Sequence, residues 1–307
     1  MGKQLDVQVM NDSISDASEI EKASWRDFIQ LTKPGIIRSN LIAAFGGFML
    51  ASKWDIDWFI FVYMMIGTAL IMASGCVLNN FLDREMDQKM ERTKERSLPS
   101  GRIHPKVVFW YGITLGIIGL IFLYFLVNPL SALLGFIGFF VYVFVYTMWL
   151  KRNSTWSTSI GGISGAMPPV LGYCAVTNEI DAGAWLLFAL LFLWQPPHFW
   201  ALGIRRKEEY RAAGFPLLPV VKGVKRTKIQ MIPYVLLLFP VNIMLYQYDY
   251  VGWIYLIIST LFTAVWLVYC LAGFVTKDDE KWARKTFLFS INYLMVIFLV
   301  MIINTAS

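Results

Sequence analysis

Long apolar stretches separated by short polar ones dominate this sequence. Nine segments reach the roughly 20 residues that a helix needs to cross a bilayer: about 36–54, 58–83, 107–127, 129–150, 156–177, 183–204, 229–248, 251–275 and 286–304. Pro129, Gly183 and Gly252 mark short turns between them. The pattern predicts an all-α polytopic membrane protein with nine transmembrane helices. Ahead of the first segment, "EKASWRDFIQLTKPG" predicts a short interfacial helix with Trp25, Phe28, Ile29 and Leu31 toward lipid. The first 30 residues are otherwise polar and hold six acids, Asp6, Asp12, Asp16, Glu19, Glu21 and Asp27. They have neither the basic start and apolar centre of a signal peptide nor the acid-poor character of a transit peptide. Residues 1–30 therefore read as a cytoplasmic N-terminal arm ending in the interfacial helix, and 31–307 as one membrane domain.

Composition agrees: 57% of residues are hydrophobic and only 16% charged, which places the chain among membrane proteins. Charge sets a direction. With the N-terminus in the cytoplasm, 26 of the 27 Lys and Arg fall on the cytoplasmic side, Lys53 being the exception. Asp55, Asp57, Glu179, Asp181 and Asp249 fall outside. So one-sided a count supports nine spans, an N-terminus inside and a C-terminus outside. The net charge of +6 is then loop charge, available to anionic lipid headgroups or an anionic substrate and no sign of nucleic-acid binding. The missing transit peptide fits a bacterial plasma membrane. Two cytoplasmic loops, 84–106 and 205–228, are longer than topology requires. Cys76, Cys174 and Cys270 lie far apart in apolar segments and read as small core residues.

Candidate chemistry gathers at cytoplasmic helix ends. In "NNFLDREMDQKMERTKERSLPSGR", Asn79, Asp83 and Asp87 repeat every fourth residue, which puts them on one stripe of a helix. A carboxamide and two carboxylates in line suit a hard cation such as Mg²⁺, which keeps waters and completes its shell with substrate phosphates. Arg92, Lys94, Arg96 and Arg102 follow and are placed to meet phosphate oxygens. The same spacing also suits an interfacial helix end with solvated acids and positive-inside bases. Tyr146 in "YTMWLKR" precedes Lys151 and Arg152: a belt tyrosine with two snorkelling bases, or, beside a diphosphate, a hydroxyl donor with two counter-charges. "IGGISGAMPPVLGY" offers small residues for tight helix contact, and its Pro168 and Pro169 predict a helix broken inside the membrane. "WQPPHFWAL" sets His198 in an apolar helix with Trp194, Phe199 and Trp200 as flat walls. Such a histidine is either a satisfied interior residue or functional, and its neutral imidazole can ligate iron. Glu208 and Glu209 form a second acidic pair among Arg205, Arg206 and Lys207. "TKDDEKWARK" reads as a solvated loop.

The Asn79–Asp87 stretch resembles the NxxxDxxxD motif of UbiA-type intramembrane prenyltransferases. With "LTKPG", "YTMWLKR", "GGISGAMPP" and "WQPPHFWAL…EEYRAAGFPLLPVV", the chain from Leu31 to Val221 resembles, within them, the protoheme IX farnesyltransferases. The resemblance implies nine helices around a central cavity open to lipid, with cytoplasmic cap loops. It implies Mg²⁺ at Asn79, Asp83 and Asp87, with Glu208 and Glu209 as the position of a second acidic motif. It implies farnesyl diphosphate held by Arg92, Lys94, Arg96, Lys151 and Arg152, with Tyr146 and Lys151 in the catalytic set. Heme B is implied as acceptor substrate, against His198, Trp194 and Trp200. The implied reaction joins a farnesyl group to a heme vinyl group with addition of water, giving heme O for a downstream heme-modifying enzyme or terminal oxidase assembly. Two departures stand out: Ser97 occupies a position where relatives read proline, and "RRKEEYRAAG" matches the second acidic motif poorly. A quinone precursor or chlorophyll-like acceptor would fit the acidic motif equally well. A transporter would place its titratable groups nearer mid-membrane.

Overall fold

The structure, a computed structural model, describes residues 23–305. Among them nine helices are long and apolar enough to cross a membrane. The elements run α1 (Trp25–Leu31), α2 (Pro34–Ser52), α3 (Trp58–Asp87), α4 (Pro105–Leu126), α5 (Pro129–Asn153), α6 (Ser157–Thr177), α7 (Ala182–Arg205), α8 (Lys207–Ala212), α9 (Leu218–Val221), α10 (Gly223–Gln247), α11 (Trp253–Ala272) and α12 (Asp279–Ile303). The polar residues bounding the apolar runs start these helices. Asp57, Asn128, Asp181 and Asp278 each accept a backbone N–H of their own first turn, and Pro34, Pro105 and Pro129 supply ready-made first-turn dihedrals.

Three spans outrun the hydropathy pattern. Helix α3 continues through Asp83 to Asp87, α10 begins at Gly223, and α12 begins at Asp279. Each added piece carries charge, which hydropathy discounts but contacts satisfy. "TKDDEKWARK" is accordingly no solvated loop: Trp282 and Ala283 are buried. The Lys228 amine donates to the Gly273 carbonyl at 2.6 Å and to Asp279, and lies 4.8 Å from the Trp282 ring centre. Helix α1 also differs from expectation. Trp25 and Ile29 are exposed, but Leu31 is buried with Val77, Leu98, Ile103 and Val108, and Phe28 packs edge-on against Tyr111 at 5.4 Å. Of the six N-terminal acids only Asp27 lies within the described residues. It accepts the Ser24 amide and hydroxyl and pairs with Arg102 at 3.4 Å, and the amide bond leads in holding its carboxyl below the usual range.

Helix α7 is the innermost, with 72% of its apolar window buried against 22% for α4. Pro168 and Pro169 do not break α6, nor do Pro196 and Pro197 break α7; all four lie inside continuous helices. Small residues let the backbones meet instead. A Cβ on Gly47 of α2 would fall 1.9 Å from the Pro169 carbonyl oxygen, and one on Gly172 of α6 would fall 2.0 Å from that of Ala44. Because backbone cannot step aside as a side chain can, Gly172→Val is expected to cost 3 kcal/mol or more, above the usual range of about 1–3 for overpacking. A thermal melt in detergent checks this, and an unchanged midpoint would contradict the close approach of α2 and α6. Farther along, buried Asn242 of α10 joins Tyr255, Thr263 and Tyr293 in one hydrogen-bonded set that ties α10, α11 and α12 together.

Candidate active site

The stripe on α3 is real and it is buried. Asn79, Asp83 and Asp87 are each less than a tenth exposed. They meet residues from three other elements. The Asn79 amide donates to Asp83 Oδ2 at 2.8 Å and to Thr147 Oγ1 at 3.1 Å, and its carbonyl accepts the Lys33 ammonium at 2.6 Å. Lys151 Nζ lies 2.5 Å from Asp83 Oδ2, and an Arg152 guanidinium nitrogen lies 3.8 Å from Oδ1. One turn on, Asp87 pairs with Arg96 at 3.0 Å. Four bases thus face two carboxylates, an excess of positive charge suited to a polyanion.

Local structure delivers each group. Residues Val141–Leu150 of α5 wind as a π-helix, a rare geometry that occurs mostly at functional sites. This winding presents Thr147 to Asn79, and Lys151 and Arg152 to Asp83. Tyr146, on the same stretch, stacks on Tyr142 at 5.8 Å, sits 6.0 Å from Lys151 Nζ, and leans on Gly161, where a Cβ would fall 2.7 Å from its ring. Lys33 is left-handed (φ 54°) immediately before Pro34, an uncommon pairing for a lysine. Asn80, the neighbour of Asn79, donates to the Leu31 carbonyl at 2.8 Å and so pins the turn that carries Lys33 inward. Burial pushes the Lys33 amine down to about 8. Asn80→Leu is expected to lower stability by about 1–3 kcal/mol through the unpaired Leu31 carbonyl. A denaturation curve equal to that of the unsubstituted chain would count against this anchoring.

Not every expected residue joins. Arg92 and Lys94 are exposed, and Lys94 bonds Glu91 at 2.6 Å. Arg102 is taken by Asp27. Glu208 pairs with Arg211, and Glu209 with Arg206 at 2.8 Å, all within or beside α8 and outside the Asn79–Asp83 cluster. What the second loop brings over the cluster is apolar: Phe215 lies 4.8 Å from Lys151 Nζ and packs with Met90 of the first loop. No group of three His, Cys, Asp or Glu placed to hold a metal ion exists among the described residues, so a metal here would rely on Asn79, Asp83, Asp87 and ligand oxygens. The donor set fits one. Asp83 Oδ1 is fully buried without a hydrogen bond, its nearest counter-charge the Arg152 guanidinium 3.8 Å away, which leaves it a lone pair for a metal.

His198 forms a second locus. Its ring is stacked between Trp194 (4.4 Å) and Phe287 (4.6 Å), with Phe199 edge-on at 5.0 Å. Trp200, expected beside it, instead packs edge-on against Tyr234 of α10 at 5.3 Å. Sequence reading missed Lys33, Asn80, Thr147, Phe215 and Phe287. Only Lys33 left a signal, as a lone lysine before the proline that opens a membrane helix.

Nine spans among the described residues, with a buried acid–amide–base cluster at one helix end, define a polytopic membrane protein with a charged internal site. The family model described as the UbiA prenyltransferase family matches residues 40–292, and the chain belongs to that family. It is 46% identical over 294 residues to a protoheme IX farnesyltransferase of Alkalihalophilus pseudofirmus, covering 94% of this chain and 93% of that protein. It is 48% identical over 308 residues to protoheme IX farnesyltransferase 1 of Bacillus subtilis, covering 95% of each. In fold it is similar to a solved digeranylgeranylglyceryl phosphate synthase (TM-score 0.77, 19% identity, 91% of this chain and 97% of that one). It is also similar to a UbiA homolog from Archaeoglobus fulgidus bound to DMAPP and Mg²⁺ (TM-score 0.64, 18% identity, 89% and 99%).

Proposed function

We propose that this chain transfers a farnesyl group from farnesyl diphosphate to a vinyl group of heme B, with addition of water, giving heme O and diphosphate. The observation that carries this reading is the single buried cluster in which Asn79 and Asp83 meet Lys33, Lys151 and Arg152. The names of the relatives supply the substrates. Asn79, Asp83 and Asp87 hold a divalent cation such as Mg²⁺, which when bound neutralises charge on the leaving diphosphate. Lys33, Lys151, Arg152 and Arg96 exchange their carboxylate and amide partners for phosphate oxygens, and the Tyr146 hydroxyl lies beside Lys151 as a further donor. Glu208, Glu209, Arg92 and Lys94 reach the substrate only if the loops rearrange.

The allylic C–O bond breaks with its electron pair leaving on diphosphate. The vinyl π electrons form the new C–C bond. Water then adds to the resulting porphyrin-conjugated cation and loses a proton. Burial of the cluster beneath Phe215 and Met90 keeps water from the allylic cation until carbon has captured it. The acceptor lies against His198 and Trp194. The basic helix ends face the cytoplasm of a bacterial plasma membrane, residues 31–307 form the catalytic domain, and the heme O product passes to a heme-modifying enzyme or oxidase assembly.

Purified protein incubated with heme B, farnesyl diphosphate and Mg²⁺ is expected to yield a farnesylated, hydrated heme by mass. A product formed only with a quinone precursor or chlorophyll-like acceptor, or no product, would replace this reading.

A further inference from the structure

His198 is held more specifically than an interior histidine requires. Its Nδ1 lies 2.7 Å from Ser290 Oγ, and that oxygen lies 2.6 Å from the Phe287 carbonyl oxygen. Two oxygens approach so closely only with a proton between them, and a serine has one to give. The serine proton therefore belongs to the Phe287 carbonyl, and Ser290 Oγ is left to accept. The hydrogen-bond network thus assigns the His198 proton to Nδ1, leaving an unprotonated lone pair on Nε2. No described residue bonds Nε2, and the buried His198 retains 8% exposure.

The same turn of α12 fixes the ring in other ways. Phe287 covers one face of the imidazole and Trp194 the other, while the Trp194 indole N–H donates to the Ser290 carbonyl at 2.8 Å. Tautomer, ring plane and ring position are thereby set by one stretch, Phe287–Ser290, together with Trp194. A histidine whose second nitrogen donates to a fixed acceptor is the arrangement that orients an imidazole toward a metal. The seven residues from His198 to the end of α7 place it about 10 Å along the helix from that end.

We propose that Ser290 is a positioning residue that locks His198 in its Nδ1–H form, so that Nε2 ligates the iron of the porphyrin acceptor. This rests on the acceptor proposed above being an iron porphyrin, and it adds the atom that recognises the metal and the residue that prepares it.

The test separates the two ideas. In the full-length protein in detergent, with ¹⁵N-labelled histidine and the other histidine removed as His104→Gln, nitrogen–proton correlation is expected to show Nδ1 protonated and Nε2 bare. A proton on Nε2 overturns the proposal without any heme being present. The protein is then titrated with ferric heme and with metal-free protoporphyrin. Ser290→Ala is expected to scramble the tautomer and weaken ferric heme roughly tenfold, and His198→Ala to weaken it further, with metal-free protoporphyrin unaffected by either. Ser290→Thr, which keeps the hydroxyl, is expected to restore both readouts. Equal loss of both porphyrins would mean His198 and Ser290 only pack the pocket, and unchanged ferric heme binding would mean the iron is not ligated there. Either outcome rejects the proposal. Failure of farnesyl transfer with the tautomer and iron preference intact would instead overturn the proposed reaction alone.

Discussion

Asp83→Ala is expected to lower turnover by at least about a thousandfold, roughly 4 kcal/mol of lost transition-state stabilisation. Asp83 is the hub of the cluster: one oxygen accepts Asn79 and Lys151, and the other, buried and without a hydrogen bond, faces Arg152 at 3.8 Å. The substitution also leaves the half-buried Lys151 and Arg152 without their carboxylate, and breaking a buried pair costs about 3–5 kcal/mol. Activity must therefore be read on protein shown by thermal melt to be folded. Asp83→Asn, which keeps shape but not charge, supplies the folded comparison. Product formation by either variant at the original rate would remove the metal and diphosphate assignment together.

Lys151→Ala is expected to be the next most damaging, at about 100- to 1,000-fold in kcat/KM. The amine sits 2.5 Å from Asp83 and below the Phe215 ring, whereas Arg152 stands off at 3.8 Å. The loss should divide in a telling way. Affinity for a slowly reacting thio-analogue of farnesyl diphosphate, measured by calorimetry, should fall, while ferric heme binding should hold. Equal weakening of both ligands would indicate a collapsed site and not a missing counter-charge.

Much of this architecture was legible in the sequence because its causes are local. A span needs only enough consecutive apolar residues, and the alignment of Asn79, Asp83 and Asp87 needs only helical periodicity. What escaped was set by partners far along the chain. Lys33 meets Asn79 across 46 residues, and His198 meets Ser290 across 92; no spacing rule joins them. Hydropathy also ended α3 too soon and began α12 too late, because it counts Asp87, Asp279 and Lys281 as costs without seeing Arg96 and Lys228, which neutralise two of them. Trp200 illustrates the reverse error. Proximity in sequence to His198 suggested a shared wall, but two residues on a helix point to different sides, and Trp200 faces Tyr234.

The ammonium and guanidinium groups resting on Asn79, Asp83 and Asp87 have a thermodynamic corollary. If the proposed metal site is right, they act as surrogate ions, and a divalent cation arriving alone would have to displace them from these partners. Diphosphate arriving alone meets bases already engaged. Each ligand removes the obstacle to the other, and linkage makes that assistance reciprocal. On the proposed assignment, the site would admit the metal–diphosphate pair as one unit and remain self-neutralised in the absence of either.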